Sequence, residues 1–216
     1  MNLKYENQKR KQGYTHVIGC DEVGRGCLAG PVVAGAVMFP VQFLNRKSLI
    51  SNLKSVKDSK LLTADKREKL SKVIKQNALW SIGVVSQEVI DEINIHNATL
   101  LAMKKAVEKM CSANSHELAH DGNFFVTVDG KFVIPGLKME QEAVVGGDNK
   151  ILSIAAASII AKVYRDELMI KLHKQYPIYN FAQHKGYGTL LHRTMILQNG
   201  LSPIHRKSFC KNLTSI

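Results

Sequence analysis

The sequence predicts an α/β layer fold with five strands. Short β-branched runs end in Gly or Asp turns, longer stretches with helical spacing lie between and after them, and the first two runs are close enough to form a hairpin. Residues 14–20 (YTHVIGC) and 31–39 (PVVAGAVMF) are the hairpin strands, joined by a glycine-rich connection. Thr63 fits the N-cap of ADKREKLSKVI, although Lys66 makes no capping box; Leu70, Val73 and Ile74 share one face. Residues 79–86 (LWSIGVVS) read as a third strand, QEVIDEIN and NATLLAMKKAVEKM as two helices. The fourth strand, 123–130, ends at Asp129-Gly130, and the fifth, 142–148, ends at Gly146-Gly147-Asp148. A helix runs from Lys150 to about Tyr176 and stops before Pro177. Its centre, SIAAASIIAKV, is apolar and small, which suits close packing on a sheet. A basic segment from His184 to Lys211 follows. An antiparallel hairpin leading into a parallel part is the expected sheet.

With 216 residues and 45% apolar content, one domain with a C-terminal appendage is expected. No run of eighteen apolar residues is present, so no membrane span is expected. The charged opening, MNLKYENQKRKQG, lacks the apolar centre of a secretory signal, and a cytoplasmic address is the simplest expectation. Cys20, Cys27, Cys111 and Cys210 have no CxxC spacing and read as free thiols. Thirty Lys plus Arg against eighteen Asp plus Glu give a net charge of +12, which suits a polyanionic partner; the blander reading is a solubility surplus.

Four acids, Asp21, Glu22, Asp129 and Asp148, stand at predicted strand ends, where the sites of open α/β sheets form. Any one of them could be a cap or turn former. Asp21-Glu22 is harder to dismiss, because adjacent acids after a buried strand cost desolvation. Gathered carboxylates stay ionised only beside a cation, and an all-oxygen set suits Mg²⁺ or Mn²⁺. Two such ions about 4 Å apart can activate water and stabilise a leaving oxygen in phosphodiester hydrolysis. Neighbouring strand residues point to opposite faces, so both side chains reach one site only if the backbone turns at Glu22. Gly24-Arg25-Gly26 follows at once; its glycines admit a ligand to the backbone, and Arg25 can pair with phosphate. The plain alternative is a bare turn.

The blocks GCDEVGRGCLAGPVVAGAV, VKDSKLLTADKRE, HNATLLAMKKAV, VDG at 128–130, GDNKILSIAAASIIAKVYRDELM, YPIYNFAQHKGYGT and SPIHRKSF occur in the order of the ribonuclease HII family, which the chain resembles over most of residues 16–209. The resemblance implies a ribonuclease H-like fold: a central mixed five-stranded sheet flanked by helices. Residues 1–13 become an N-terminal extension, and 14–216 the catalytic domain, with a C-terminal helical extension from about 177. It implies an endonuclease that cuts the RNA strand of RNA–DNA hybrids and nicks 5′ of ribonucleotides embedded in duplex DNA, leaving 3′-hydroxyl and 5′-phosphate ends. By motif, Asp21, Glu22, Asp129 and Asp148 match the family's catalytic and metal-binding acids. Gly24, Arg25 and Gly26 match its ribose-sensing loop, and Tyr187 the tyrosine near the DNA sugar at the junction. Lys60, Lys162, His184, Lys185, His205 and Arg206 are candidate phosphate contacts, His205 and Arg206 more so because they lie in a matched block; each could also be an ordinary solvated charge. Leu61 and Gly146 replace lysines usual in the family, the second weakening one phosphate contact. The tail after SPIHRKSF lacks the aromatic sliding-clamp peptide of some relatives, and a monomer is expected.

A second reading is a basic nucleic-acid binding module without catalysis, but a pure binder has no use for four carboxylates near a phosphate. A third is a resolvase or transposase of the same fold, against which the Gly-Arg-Gly loop and Tyr187 argue, since sensing a 2′-OH serves only RNA. Type 3 relatives usually carry a separate N-terminal binding domain, for which the residues before the first strand leave no room.

Overall fold

A computed structural model describes residues 3–41, 62–113 and 122–213. Its sheet has the strands β1 (His16–Val23), β2 (Val32–Met38), β3 (Leu79–Val85), β4 (Phe124–Asp129) and β5 (Glu140–Val144), in the order β3-β2-β1-β4-β5. β1 and β3 flank β2 antiparallel; β4 joins β1, and β5 joins β4, in parallel. The antiparallel hairpin with a parallel continuation is therefore present.

Helices cover both faces. On one lie α2 (Ala64–Asn77) and α4 (Leu152–Gln175), where Leu70, Ile74 and the small residues of α4 pack on Val33, Val37 and Ile82. Gly19 permits this approach, since a Cβ there would overlap the Ser153 backbone. Thr63 caps α2 by accepting the Lys66 N–H, as its sequence suggested. On the other face lies α3 (Gln87–Ala113), whose Ile90, Met103 and Met110 pack on Ile18, Cys20, Ala36 and Val126. α3 is broken at Asn94 (φ 66°), whose Oδ1 accepts the Asn97 N–H and so starts a second helical run. That matches the two helices read from the sequence.

Residues 1–13, read as an extension, carry α1 (Lys4–Lys11), and this helix is tied into the domain. Glu6, 1% exposed, accepts the Ser153 N–H at 2.9 Å and so caps α4, whose own N-cap, Ile151, has no side-chain acceptor. Lys9 pairs with Glu142 at 2.6 Å. The basic C-terminal segment folds as α5 (Phe181–His184), α6 (Leu190–Asn199) and α7 (Lys207–Cys210). The four cysteines are free thiols. Among the described residues no helix is long and apolar enough to cross a membrane.

Candidate active site

β1 pairs with β4 only as far as Cys20 and Val128, and the acids stand beyond that last rung. The backbone does not turn at Glu22, as the sequence reading required; β1 stays paired with β2 through Val23. The alternation is kept. Asp21 shares the α4 side with Gly19 and meets Ser158, while Glu22 points toward α3. The open end of the β1–β4 pair nonetheless lets both carboxylates feel Asp129. Burial, then Glu22 and Asp129, push the Asp21 carboxyl well above the usual range. Burial raises Glu22 as well, opposed by Arg25, whose Nη1 lies 3.2 Å from Glu22 Oε1. Asp129 accepts the Gly147 N–H at 2.7 Å, which fixes the turn (Gly147–Asn149) carrying Asp148. Asp148 is buried, 2.9 Å from the Asn149 amide. Among the described residues no three Asp, Glu, His or Cys side chains are drawn tightly enough to enclose an ion. The set is nevertheless all oxygen, and its buried members repel one another, which is a demand for positive charge.

The Gly24–Gly26 loop lies between two distant segments. Leu28 N–H donates to Gly186 O and Gly30 N–H to Ile204 O, each at 2.8 Å, while Leu28 O accepts the Arg206 N–H at 2.8 Å. Two arginines with 0% exposure hold residues 24–31 from beneath. Arg206 donates to Gly30 O (2.9 Å), Arg25 O (2.8 Å) and Gly24 O (2.7 Å). Arg165 donates to Pro31 O (3.0 Å), Lys185 O (2.9 Å) and Ala29 O (3.1 Å). Gly24, at φ +92°, is needed here, because a Cβ would run into the Arg165 side chain. The loop rims a cavity of about 500 Å³ with Glu22, Arg67, Ser158, Lys162 and Tyr187. The Tyr187 ring, 38% exposed, faces the loop with Lys162 Nζ 5.5 Å from its centroid. Burial raises its phenol, which keeps the hydroxyl a donor.

The ribonuclease HII family model matches residues 18–212. Ribonuclease HII of Alkaliphilus metalliredigens is 45% identical over 212 residues, 98% of each chain. The chain belongs to the ribonuclease HII family. It is therefore a nuclease, a hydrolase of phosphodiester bonds with its family's ribonuclease H activity on RNA–DNA hybrids. The structure of the PCNA:RNase HII complex from Archaeoglobus fulgidus contains a similar chain, with TM-score 0.68 and 26% identity over 93% of this chain and 97% of that one. Bst-RNase HIII in complex with Mn²⁺ shares the fold, with TM-score 0.65 and 18% identity over 87% of this chain and 63% of that one.

Four of the expected phosphate contacts, Arg206, His205, His184 and Lys185, do not line the cavity. Arg206 is inside, its guanidinium spent on three carbonyls and pulled down to about 10 by burial. His205, 2% exposed, belongs to a buried histidine cluster. His205 Nδ1 accepts the Ser202 N–H at 2.9 Å, so its Nε2 carries the proton and donates to His192 Nε2 at 3.0 Å. His192 Nδ1 then donates to Tyr187 O at 2.9 Å. His184, also buried, stacks on His192 with centroids 4.2 Å apart and donates from Nε2 to Tyr179 O at 2.6 Å. All three rings are satisfied as neutral imidazoles behind Tyr187. Lys185 does not face the cavity: its Nζ folds back onto Ala182 O. Lys60 lies outside the described residues. Lys162 does line the cavity, 2.7 Å from Asp166. Arg67, Ser158 and Arg165 were not among the sequence candidates, and in the charged stretch KVYRDE nothing sets Arg165 apart from its solvated neighbours.

Proposed function

We propose that the chain is an endonuclease that cuts the RNA strand of RNA–DNA hybrids and nicks 5′ of ribonucleotides embedded in duplex DNA, leaving 3′-hydroxyl and 5′-phosphate ends. The observation that carries this reading is the cavity where Glu22, the Gly24–Gly26 loop and Tyr187 meet. The carbonyls of Gly24 and Arg25 are turned inward to Arg206, so the loop meets a ligand with its amide N–H groups. These suit the 2′-OH as a hydrogen-bond acceptor. Arg25, half-exposed and paired with Glu22, is placed to take the adjacent phosphate, with Lys162 beside it. The Tyr187 ring offers an apolar face to the deoxyribose that follows the ribonucleotide. A ribose seated this way sets its phosphate against the acids, so recognition also supplies orientation.

Asp21, Glu22 and Asp129, with Asp148 as a fourth acid, would hold divalent cations, Mg²⁺ or Mn²⁺. Such ions, when bound, supply charge to the attacking and leaving oxygens and lower the pKa of a water. The residues themselves fit that load. Buried Asp21 is raised by its acidic neighbours and needs a counter-charge to ionise, and Gly147 fixes one Asp129 oxygen so that the other is aimed. The test is cleavage of duplex DNA carrying one ribonucleotide, with Mg²⁺, Mn²⁺ or EDTA. A single nick 5′ of the ribonucleotide, abolished by EDTA, is expected; metal-independent binding without cleavage would support the non-catalytic module instead.

A further inference from the structure

The acids border a second, smaller depression of about 30 Å³ on the α3 side of the sheet, reached by Glu22, Arg25, Asp129 and Phe132. It shares Glu22 and Arg25 with the Tyr187 cavity, so this salt-bridged pair divides two sides of one cleft. On its rim Phe132 is 57% exposed and Val133 48% exposed, three and four residues past Asp129.

These apolar side chains are held out rather than left loose. Gly130, at φ +104°, turns the chain away from β4, and its N–H donates to Val144 O at 3.1 Å. Ile134, 1% exposed, anchors the far end of the loop. Its N–H donates to Gln141 Oε1 at 2.8 Å, and its carbonyl accepts from Gln141 Nε2 at 3.0 Å. The His96 ring, just past the break in α3, meets the Phe132 ring edge-on with centroids 4.7 Å apart. A phenyl ring fixed in solvent beside a nuclease's acids buries little of itself and gains little stability from its position.

We propose that Phe132 is a second sugar-reading residue, packing on the deoxyribose that precedes the embedded ribonucleotide in the strand to be cut. This rests on the proposed function, which places the following sugar on Tyr187. The scissile phosphate then lies at the acids between the two rings, so the Phe132 side receives the preceding nucleotide. In a duplex the bases are paired and stacked, and the apolar surface a fixed ring can reach is the sugar. A deoxyribose offers a methylene at C2′, whereas a ribose would press a hydroxyl into the ring and lose its hydration. Lys131, exposed next to Phe132, supplies a cation for the neighbouring phosphate, and the net charge of +12 favours nucleic acid over an apolar protein partner.

The experiment compares cleavage at one fixed phosphodiester in two duplexes: one with deoxyribose before the scissile bond, one with ribose there. Wild type should prefer the first; Phe132→Ala should lose about tenfold in kcat/KM on it, as for partial loss of an aromatic contact, and little on the second. Phe132→Tyr should keep the preference. Equal losses on both duplexes, or none, would overturn the inference. So would a loss that disappears when the preceding base is removed, since that would assign the ring to the base. The two layers separate cleanly: wild-type cleavage with unchanged variants sinks the Phe132 role alone, whereas a wild type that does not nick the single-ribonucleotide duplex sinks the proposed function and this role with it.

Discussion

The acids and the Gly24–Gly26 loop lie side by side, yet they are held by opposite means. Asp21, Glu22 and Asp129 stand at the ends of paired strands, and the register that places them continues the local alternation of β1 and β4. The Gly24–Gly26 loop is held instead by Arg206, up to 182 positions away, and the turn that follows it, at Ala29 and Pro31, by Arg165 on α4. The acid side is strained by its own charge, and the loop side is saturated with hydrogen bonds. Chemistry that needs a counter-ion tolerates that strain, whereas discrimination of one hydroxyl needs a backbone that cannot move.

Substitution on the acid side should be the more damaging to turnover. Asp129→Asn should lower kcat by more than about 100-fold, beyond what an outer-shell partner costs, with the thermal midpoint kept. Wild-type rates at saturating Mg²⁺ would show that Asp129 is not a ligand. Asp148→Asn should be milder, since a fourth acid can act through water.

On the loop side the expected loss is in stability first. Arg206→Lys cannot reach three carbonyls with one ammonium, and two acceptors left unmet in the interior should cost about 2–4 kcal/mol in a denaturant titration. If the unfolding midpoint does not move, the loop is not clamped from beneath. The surviving enzyme should lose preference for the single ribonucleotide before it loses hybrid cleavage.

Tyr187 sharpens the contrast, because it lines the cavity on the side away from the acids, where the proposed function seats the following deoxyribose. Tyr187→Ala should reduce kcat/KM on a single-ribonucleotide duplex by about tenfold, more than Tyr187→Phe, if packing of the ring dominates. Both should lose less on a long hybrid, where no deoxyribose follows most sites. Identical losses on the two substrates would make Tyr187 a general binding residue.

The contrast also reaches the pH dependence of stability. Burial lowers His192 and His205 to about 4, against 6.5 when solvated. Below 6.5 the unfolded chain takes up protons that the fold refuses until about 4, so these rings cost nothing above 6.5 and subtract stability as pH falls through that window. The raised carboxyls of Asp21 and Glu22 work the other way, favouring the fold on acidification. The histidine contribution is therefore read from the difference between wild type and His192→Gln. The variant should have the flatter loss of stability from pH 6.5 to 4. Parallel curves would mean that the cluster is not neutral in the fold.

The same contrast explains what the sequence could show. The strands, the acids at their ends and the break before NATLL are written in local patterns, and they were legible. Arg206 and His205 were misread as phosphate contacts because a charged letter in a basic segment says nothing of its burial. Only the tertiary fold brings them under residues 24–30. No turn at Glu22 is needed to bring the acids to one place, because the parting of β1 from β4 beyond Cys20 and Val128 serves instead. α1 escaped notice because its buried residue is Glu6, and a buried glutamate that caps a helix 147 positions away leaves no periodic trace.

A nascent chain meets the consequence of the Arg206 clamp first. The acids of β1 leave the ribosome early, but Gly24 and Arg25 have no guanidinium to bind until residue 206 has been made. During synthesis the chain carries the acids of a nuclease without the clamped loop proposed to seat a ribose. Its competence arrives late in translation, and a product truncated before that arginine should carry the acids and still fail to nick a single-ribonucleotide duplex.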